Sequence, residues 1–326
     1  MITENTRNSM SCNRRSWLET SGAGLLGLSL TDLSKTQAAP NPSATLLMSP
    51  PVFVGQTKAQ RDEFLQRTSI LEVRTVSMAT PSNWTENQVS EAHHFLKQVN
   101  IRVGEFSAFD LRFASSESAD HRIAMNHYRR QLQHARILNA HCVGFAITTD
   151  RGTPAMWSQD TWKRCIRAVK ELAREAEQTE MNIAAHPHIM SPLNSTERYQ
   201  QLLEEVASPR LKVLLDPVNL TWPQRFYQSG DMIQELFDAL GDAIVAVHAK
   251  DMTMSGVKSQ GEFLSVVNVQ EAVPGTGQLD YPQLIRSLSK LNHTVTIHVE
   301  HFPFARTVTG QQFIRHIART CNVTIQ

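Results

Sequence analysis

From residue 44 onward the chain alternates short runs of apolar and β-branched residues with longer amphipathic stretches. The runs are 44–48, 69–77, 101–106, 142–147, 181–186, 211–216, 243–248 and 294–300. Between them leucine, isoleucine and alanine recur at three- and four-residue intervals among charges, most clearly over 120–139 and 159–179. That spacing marks helices with one buried face. Strands that are apolar throughout, separated by such helices, predict a parallel sheet with helices outside it. Eight units recurring roughly every 30 to 40 residues predict a single-domain α/β fold, a parallel (β/α)8 TIM barrel over 39–326. No GxGxxG follows the first run to favour an open doubly wound sheet. The stretch 252–281 breaks the rhythm. It is polar, with Gly256, Gly261, Gly275 and Gly277 as hinge points, and predicts one long loop folded over the barrel mouth.

The first 38 residues carry a different pattern. Asn13-Arg14-Arg15-Ser16-Trp17-Leu18 has the order of a twin-arginine export signal, Ser21 to Leu30 supplies a short apolar core, and Thr36-Gln37-Ala38 offers a cleavage site. Ten apolar residues fall short of the roughly 20 that cross a bilayer, so 1–38 predicts an export signal without an anchor. The expected location is periplasmic or exported.

Composition narrows the partners. Lys plus Arg number 32 and Asp plus Glu 31, so a formal charge of +1 gives no global field toward nucleic acid or an anionic membrane. A small molecule is the expected partner; the pattern does not address oligomeric state. The four cysteines form no CxxC pair; Cys12 falls in the leader, and Cys142, Cys165 and Cys321 read as small buried residues, with a Cys142 to Cys165 bridge left open.

Candidate chemistry sits where the later runs end. MNIAAHPH ends in His186 and His188, LKVLLDPVN in Asp216 and Asn219, AIVAVHAKD in His248, Lys250 and Asp251, and TVTIHVEHF in Glu300 and His301. A lone histidine after a strand is usually structural, and Asp216-Pro217 also fits a helix cap. Four successive strand ends with such residues point instead to one metal, because a closed barrel brings its strand ends to one mouth. Mixed imidazole and carboxylate donors suit one divalent ion among Mn, Co, Zn, Fe or Mg, with an open position for substrate oxygens.

These segments resemble the sugar phosphate isomerase/epimerase superfamily, the xylose-isomerase-like barrels. The markers are ARILNAHCVGF, VLLDPVN, VHAKD, VPGTGQLDY and VTIHVEH, spread from about Ala44 to the last helix. The resemblance implies Asp216, His248 and Glu300 as three of four metal ligands; the fourth family ligand has no match, and His186 is the candidate for that place or for an opposing base. It implies removal of a proton next to a carbonyl of a keto-sugar or polyol, with Glu300 exchanging that proton. Lys250, two residues beyond His248 on the same strand face, is placed either to donate to a substrate oxygen or to pair with Asp251 or another acid. Two positions depart from the epimerase pattern. His186-Pro187-His188 stands where a Glu followed two residues later by His is usual, and Asn219 stands where Asp-x-x-His is usual. The three matching ligands make an isomerase or epimerase the expectation, and the two departures open other readings. The alternatives are a lyase or dehydratase with His186 or His188 as general acid on a keto-glycoside or inosose-like substrate, and a non-catalytic carbohydrate-binding barrel.

Overall fold

The computed structural model describes residues 44–147, 149, 153–258 and 264–326. Residues 1–38, where an export signal is expected, and Cys12 and Gly261 lie outside the described residues. Eight parallel strands form one sheet: β1 (Thr45–Met48), β2 (Thr75–Met78), β3 (Arg102–Ser107), β4 (Cys142–Ala146), β5 (Ile183–His186), β6 (Leu211–Leu215), β7 (Ile244–His248) and, after a two-stranded hairpin, β10 (Thr294–His298). Neighbours run β1-β10-β7-β6-β5-β4-β3-β2. The ring closes between the segment just after β1 and β2 itself, where Val52 N donates to Ser77 O at 3.1 Å and Ser77 N to Pro50 O at 2.9 Å. A helix follows each strand of the ring: α1 (Lys58–Leu71), α2 (Glu86–Gln98), α3 (Ser118–Ile137), α4 (Gln159–Gln178), α5 (Thr196–Val206), α6 (Ser229–Leu240), α7 (Tyr281–Ser289) and α8 (Phe304–Thr320). This is the expected TIM barrel. No helix among the described residues is long and apolar enough to cross a membrane.

Local chemistry explains the boundaries. Thr57 and Thr85 cap α1 and α2 through reciprocal bonds with Gln60 and Gln88, and Ser158, Ser195 and Asp280 cap α4, α5 and α7. Most of the buried apolar side chains fill the layer between strands and helices. A smaller cluster, including Cys142, Ala184, Leu214 and Ala246, fills the barrel interior. Cys165 lies in the outer layer, so the sheet separates it from Cys142, and no disulfide joins the two.

Two sequence expectations need correction. The run 69–77 merges two elements: residues up to Leu71 finish α1, and the strand starts only at Thr75. The apolar residues of α1 are spread around the helix, so no helical period stood out. The segment 252–281 is likewise not a loop throughout. Asp251–Lys258 (β8) and Leu264–Ala272 (β9) form an antiparallel hairpin.

Asp251 anchors that hairpin. Its Oδ1 accepts the amides of Met252 (2.8 Å) and Leu279 (2.9 Å), and its Oδ2 those of Gly275 (3.0 Å) and Gly277 (2.9 Å). Gly275 has φ +90°, and a β-carbon on Gly277 would run into Met252 O and Asp251. These two glycines are fixed parts of a clasp, not hinges. Asp251 is thus structural. Asp251→Ala should strand four amides and cost at least about 3 kcal/mol, read as a lowered midpoint in denaturant titration. Metal content should be unchanged, and an unaltered midpoint would remove the clasp from the account.

Candidate metal centre

The carboxyl ends of β5, β6, β7 and β10 bring His186, Asp216, His248 and Glu300 together, as their places at the ends of those runs required. One donor atom from each lies within 4.8 Å of all the others. His186 Nε2 is 3.1 Å from Asp216 Oδ2 and 3.1 Å from His248 Nδ1. His248 Nδ1 is 2.9 Å from Glu300 Oε1 and 3.9 Å from Asp216 Oδ2. A tetrahedral ion with bonds near 2.05 Å separates its donors by roughly 3.3–3.4 Å, so these four fit a single divalent ion. Two imidazoles and two carboxylates suit Mn, Fe, Co or Zn better than a hard ion such as Mg.

Asp216 serves two ends at once. While Oδ2 faces the cluster, Oδ1 accepts the amide of Asn219 at 3.0 Å and caps the short turn after β6. Asn219 Nδ2 is 3.3 Å from His186 Nε2 and donates to Pro187 O at 3.3 Å. In this way the residue that replaces the expected histidine steadies the fourth ligand. His188 stands apart from the four: its Nδ1 accepts the amide of Met190 at 2.9 Å.

Two residues missed in the sequence complete the site. Glu105 on β3 is fully buried, and its Oε2 lies 2.7 Å from His248 Nε2 and 3.0 Å from His298 Nδ1. Donation of Nε2–H to Glu105 leaves Nδ1 of His248 facing the other ligands, the tautomer a metal requires. Gly144 makes room, since a β-carbon there would stand 2.5 Å from Glu105 Oε1. The signals were present: a carboxylate within the run IRVGEF, and His298 two positions before Glu300 on the same strand face.

Lys250 is buried against the same oxygens. Its ammonium contacts Asp216 Oδ2 at 2.9 Å, Glu300 Oε1 at 2.7 Å and Glu271 Oε1, from the hairpin, at 2.8 Å. It offsets one of three carboxylates and leaves a charge that a divalent ion would balance. Its three protons all have partners, and none of them is Asp251. Glu271 also meets His301 Nδ1 at 3.0 Å, and His301 Nε2 lies 3.4 Å from Glu300 Oε2. His301 has the left-handed φ of +66°, a strained turn that swings its ring back beside Glu300.

The charges shift one another. Burial works against the ionised form of Glu105, Asp216 and Glu300, yet each stays below the usual carboxylate range. His248 and His298 hold Glu105 down, Lys250 and His186 hold Asp216, and His248 and Lys250 hold Glu300. Burial also opposes charge on His248, but Glu300 and Glu105 outweigh it and raise its pKa to about 10. Burial keeps His186 below its ordinary value and therefore neutral, ready to donate a lone pair. A separate cavity of about 520 Å³, lined by Thr68, Ser69, Glu72 and Arg74 among others, opens at the amino-terminal end of the strands and contains none of these groups.

Comparison with known proteins settles the family. The sequence profile of the xylose isomerase-like TIM barrel family matches residues 70–317. The chain belongs to that family. It is 23% identical over 245 residues to an inosose dehydratase of Geobacillus thermodenitrificans (strain NG80-2), covering 70% of this chain and 79% of that protein. Its fold matches a xylose isomerase-like TIM barrel protein from Mycobacterium smegmatis in complex with magnesium, with a TM-score of 0.63 at 12% identity over 86% of this chain and 97% of that one. It also matches an L-ribulose 3-epimerase, with a TM-score of 0.63 at 12% identity over 85% and 95%.

Two outcomes test this geometry. Wild-type protein should take up about one divalent ion per chain, and Glu105→Gln should weaken that affinity about 10- to 100-fold, measured by chelator competition; equal affinity would make Glu105 a bystander. Binding through Nδ1 displaces the extra proton of His248, so apparent affinity should climb about tenfold per pH unit between about pH 6 and pH 9. By the same linkage, the metal-free fold keeps the contribution of His248 below its ordinary pKa of 6.5 and loses it as pH rises through about 10. A flat affinity profile would mean that His248 carries no extra proton.

Proposed function

We propose that the protein is a divalent-metal-dependent enzyme that removes the proton next to the carbonyl of a neutral keto-sugar or keto-polyol. The observation that carries this reading is the convergence of His186, Asp216, His248 and Glu300 on one point, with Lys250 against two of the same oxygens. A metal held there would polarise the substrate carbonyl and offset the negative charge that develops on its oxygen.

The side chains divide the remaining work. Glu300 Oε1 is held by His248 and Lys250, which leaves Oε2, beside His301, to take the proton. Lys250 can donate to the substrate oxygen once a partner is given up, and Glu271 is the partner most open to solvent. The C–H electron pair then rests on the carbonyl oxygen as an enediolate.

Two fates follow, and His186 distinguishes them. Epimerisation delivers a proton to the opposite face and needs a second proton-carrying group there. Where epimerases of the resembled superfamily have a carboxylate, this chain has an imidazole whose Nε2 faces the cluster as a ligand. A single carrier suffices for elimination: Glu300 takes the α-proton, the enediolate re-forms a carbonyl as the bond to a β-oxygen breaks, and Glu300 hands the proton to that departing oxygen. We therefore favour a lyase or dehydratase over the epimerase expected from the sequence, and similarity to an inosose dehydratase supports the choice. Neither His186 nor His188 is needed as the acid in this scheme.

The test compares wild type, His186→Glu and Lys250→Met, each metal-loaded, on a 3-keto-glycoside and a free ketose in deuterated water. Wild type should exchange the α-proton and eliminate. Lys250→Met should keep its metal and lose about 100- to 1,000-fold in turnover, as removal of an oxyanion donor does. His186→Glu should keep its metal and gain epimerisation. Epimerisation by wild type would overturn the elimination reading, and absence of exchange in wild type would overturn the enzyme reading.

A further inference from the structure

The solvent-exposed aromatic side chains are not scattered. Among the described residues Phe53, Phe109, Trp157, Trp222 and Tyr227 stand out, and every one lies on a segment that leaves the carboxyl end of a barrel strand. The exposed large apolar residues on the outer helices, Leu65, Ile70 and Ile123, are all aliphatic. Bulky aromatic rings left in water at one end of a molecule mark a binding surface.

Phe109, Trp157 and Trp222 connect this rim to the metal centre. The Phe109 ring lies 5.6 Å from the ring of His186, tilted by 53°. Trp222 follows Asn219, the residue that steadies His186, by three positions. Trp157, from the segment after β4, meets Trp222 at 6.4 Å between ring centroids and a tilt of 40°, an open pair and not a closed stack. The rim therefore continues outward from the fourth ligand across the segments after β3, β4 and β6.

Its charge indicates the occupant. Arg112 is bound to both oxygens of Asp110, at 3.0 and 2.7 Å, and Arg225 to both oxygens of Glu235, at 2.9 and 3.0 Å. The described arginines of these segments are thus neutralised, which disfavours a phosphorylated ligand. A neutral group with an apolar face suits the indoles, and the C–H face of a pyranose ring is such a group.

We propose that Trp157 and Trp222, with Phe109 on the inner side, form a second sugar subsite. It holds by stacking the non-reacting pyranose ring of a neutral glycoside whose other unit reaches Asp216, His248 and Glu300. This deepens the function proposed above by making the substrate a glycoside with the second ring on the leaving-group side, and it rests on that reading for the reacting unit alone.

The experiment is calorimetric titration of the metal-loaded full chain with cellobiose, maltose, glucose and glucose 6-phosphate, with indole fluorescence as a second readout. At least one disaccharide should bind tenfold or more tighter than glucose, and the phosphate should add nothing. Trp157→Ala and Trp222→Ala should each abolish most of that preference with metal content unchanged, while Trp222→Phe should retain it. Tyr227 is 77% exposed, so Tyr227→Ala gives a further reading of the rim should an indole variant fail to fold. Equal binding of disaccharide and glucose, no binding of any saccharide, or unchanged disaccharide affinity in the variants would overturn the proposal. A change from dimer to monomer in the tryptophan variants, with disaccharide binding intact, would assign the rim to a second copy of the chain. Tryptophan-dependent disaccharide binding without α-proton exchange would sink the reaction and leave the subsite standing.

Discussion

Asp216 and Glu300 are carboxylates buried at the barrel mouth with oxygens aimed at one point, and they can remain ionised there only beside positive charge. Much of the site follows from that requirement. Lys250 supplies one cation, His248 carries an extra proton or binds a metal, and Glu105 beneath it fixes which nitrogen does so. Removing any one member leaves a buried charge without its partner, which is far costlier than the loss of a surface ion pair. The cluster is thereby poised for a divalent ion: a metal replaces a proton on His248 and relieves the crowding of four lone-pair donors.

The hairpin reaches into this centre. Asp251 clasps its base through four amides, and Glu271 on its second strand reaches Lys250 and His301. Lys250 is thus shared between the metal ligands on one side and a more exposed carboxylate on the other. A substrate oxygen that displaces Glu271 would meet the same ammonium that steadies Asp216 and Glu300, so binding and activation would pass through one side chain. On the other flank of His186 the aromatic segments give the mouth an apolar wall.

Much of this was legible before folding. Each of the eight barrel runs contains or overlaps its strand, because strands buried on both faces are apolar throughout. The errors have physical causes. The run 69–77 joined a helix end to a strand because α1 has no clear apolar face, and the hairpin was read as loop because its strands carry polar residues and never enter the barrel. Glu105 and His298 lie inside the runs 101–106 and 294–300, where the rule that strand ends converge on one mouth does not single them out.

The sequence by itself determined which residues would meet, since a closed parallel barrel brings the last residue of each strand to one mouth whatever the intervening helices do. His186, Asp216, His248 and Glu300 needed only that rule. Their roles required distances between strands far apart in the chain: Glu105 reaches His248 across 143 residues and His298 across 193. Whether His186 is a ligand or a free acid, which nitrogen of His248 faces the metal, and whether Lys250 pairs with Asp251 or with Asp216, Glu300 and Glu271 all turn on ångström-scale approach and on shared burial. Those quantities arise only when the barrel closes, because no local pattern encodes the neighbour that a side chain meets across its interior.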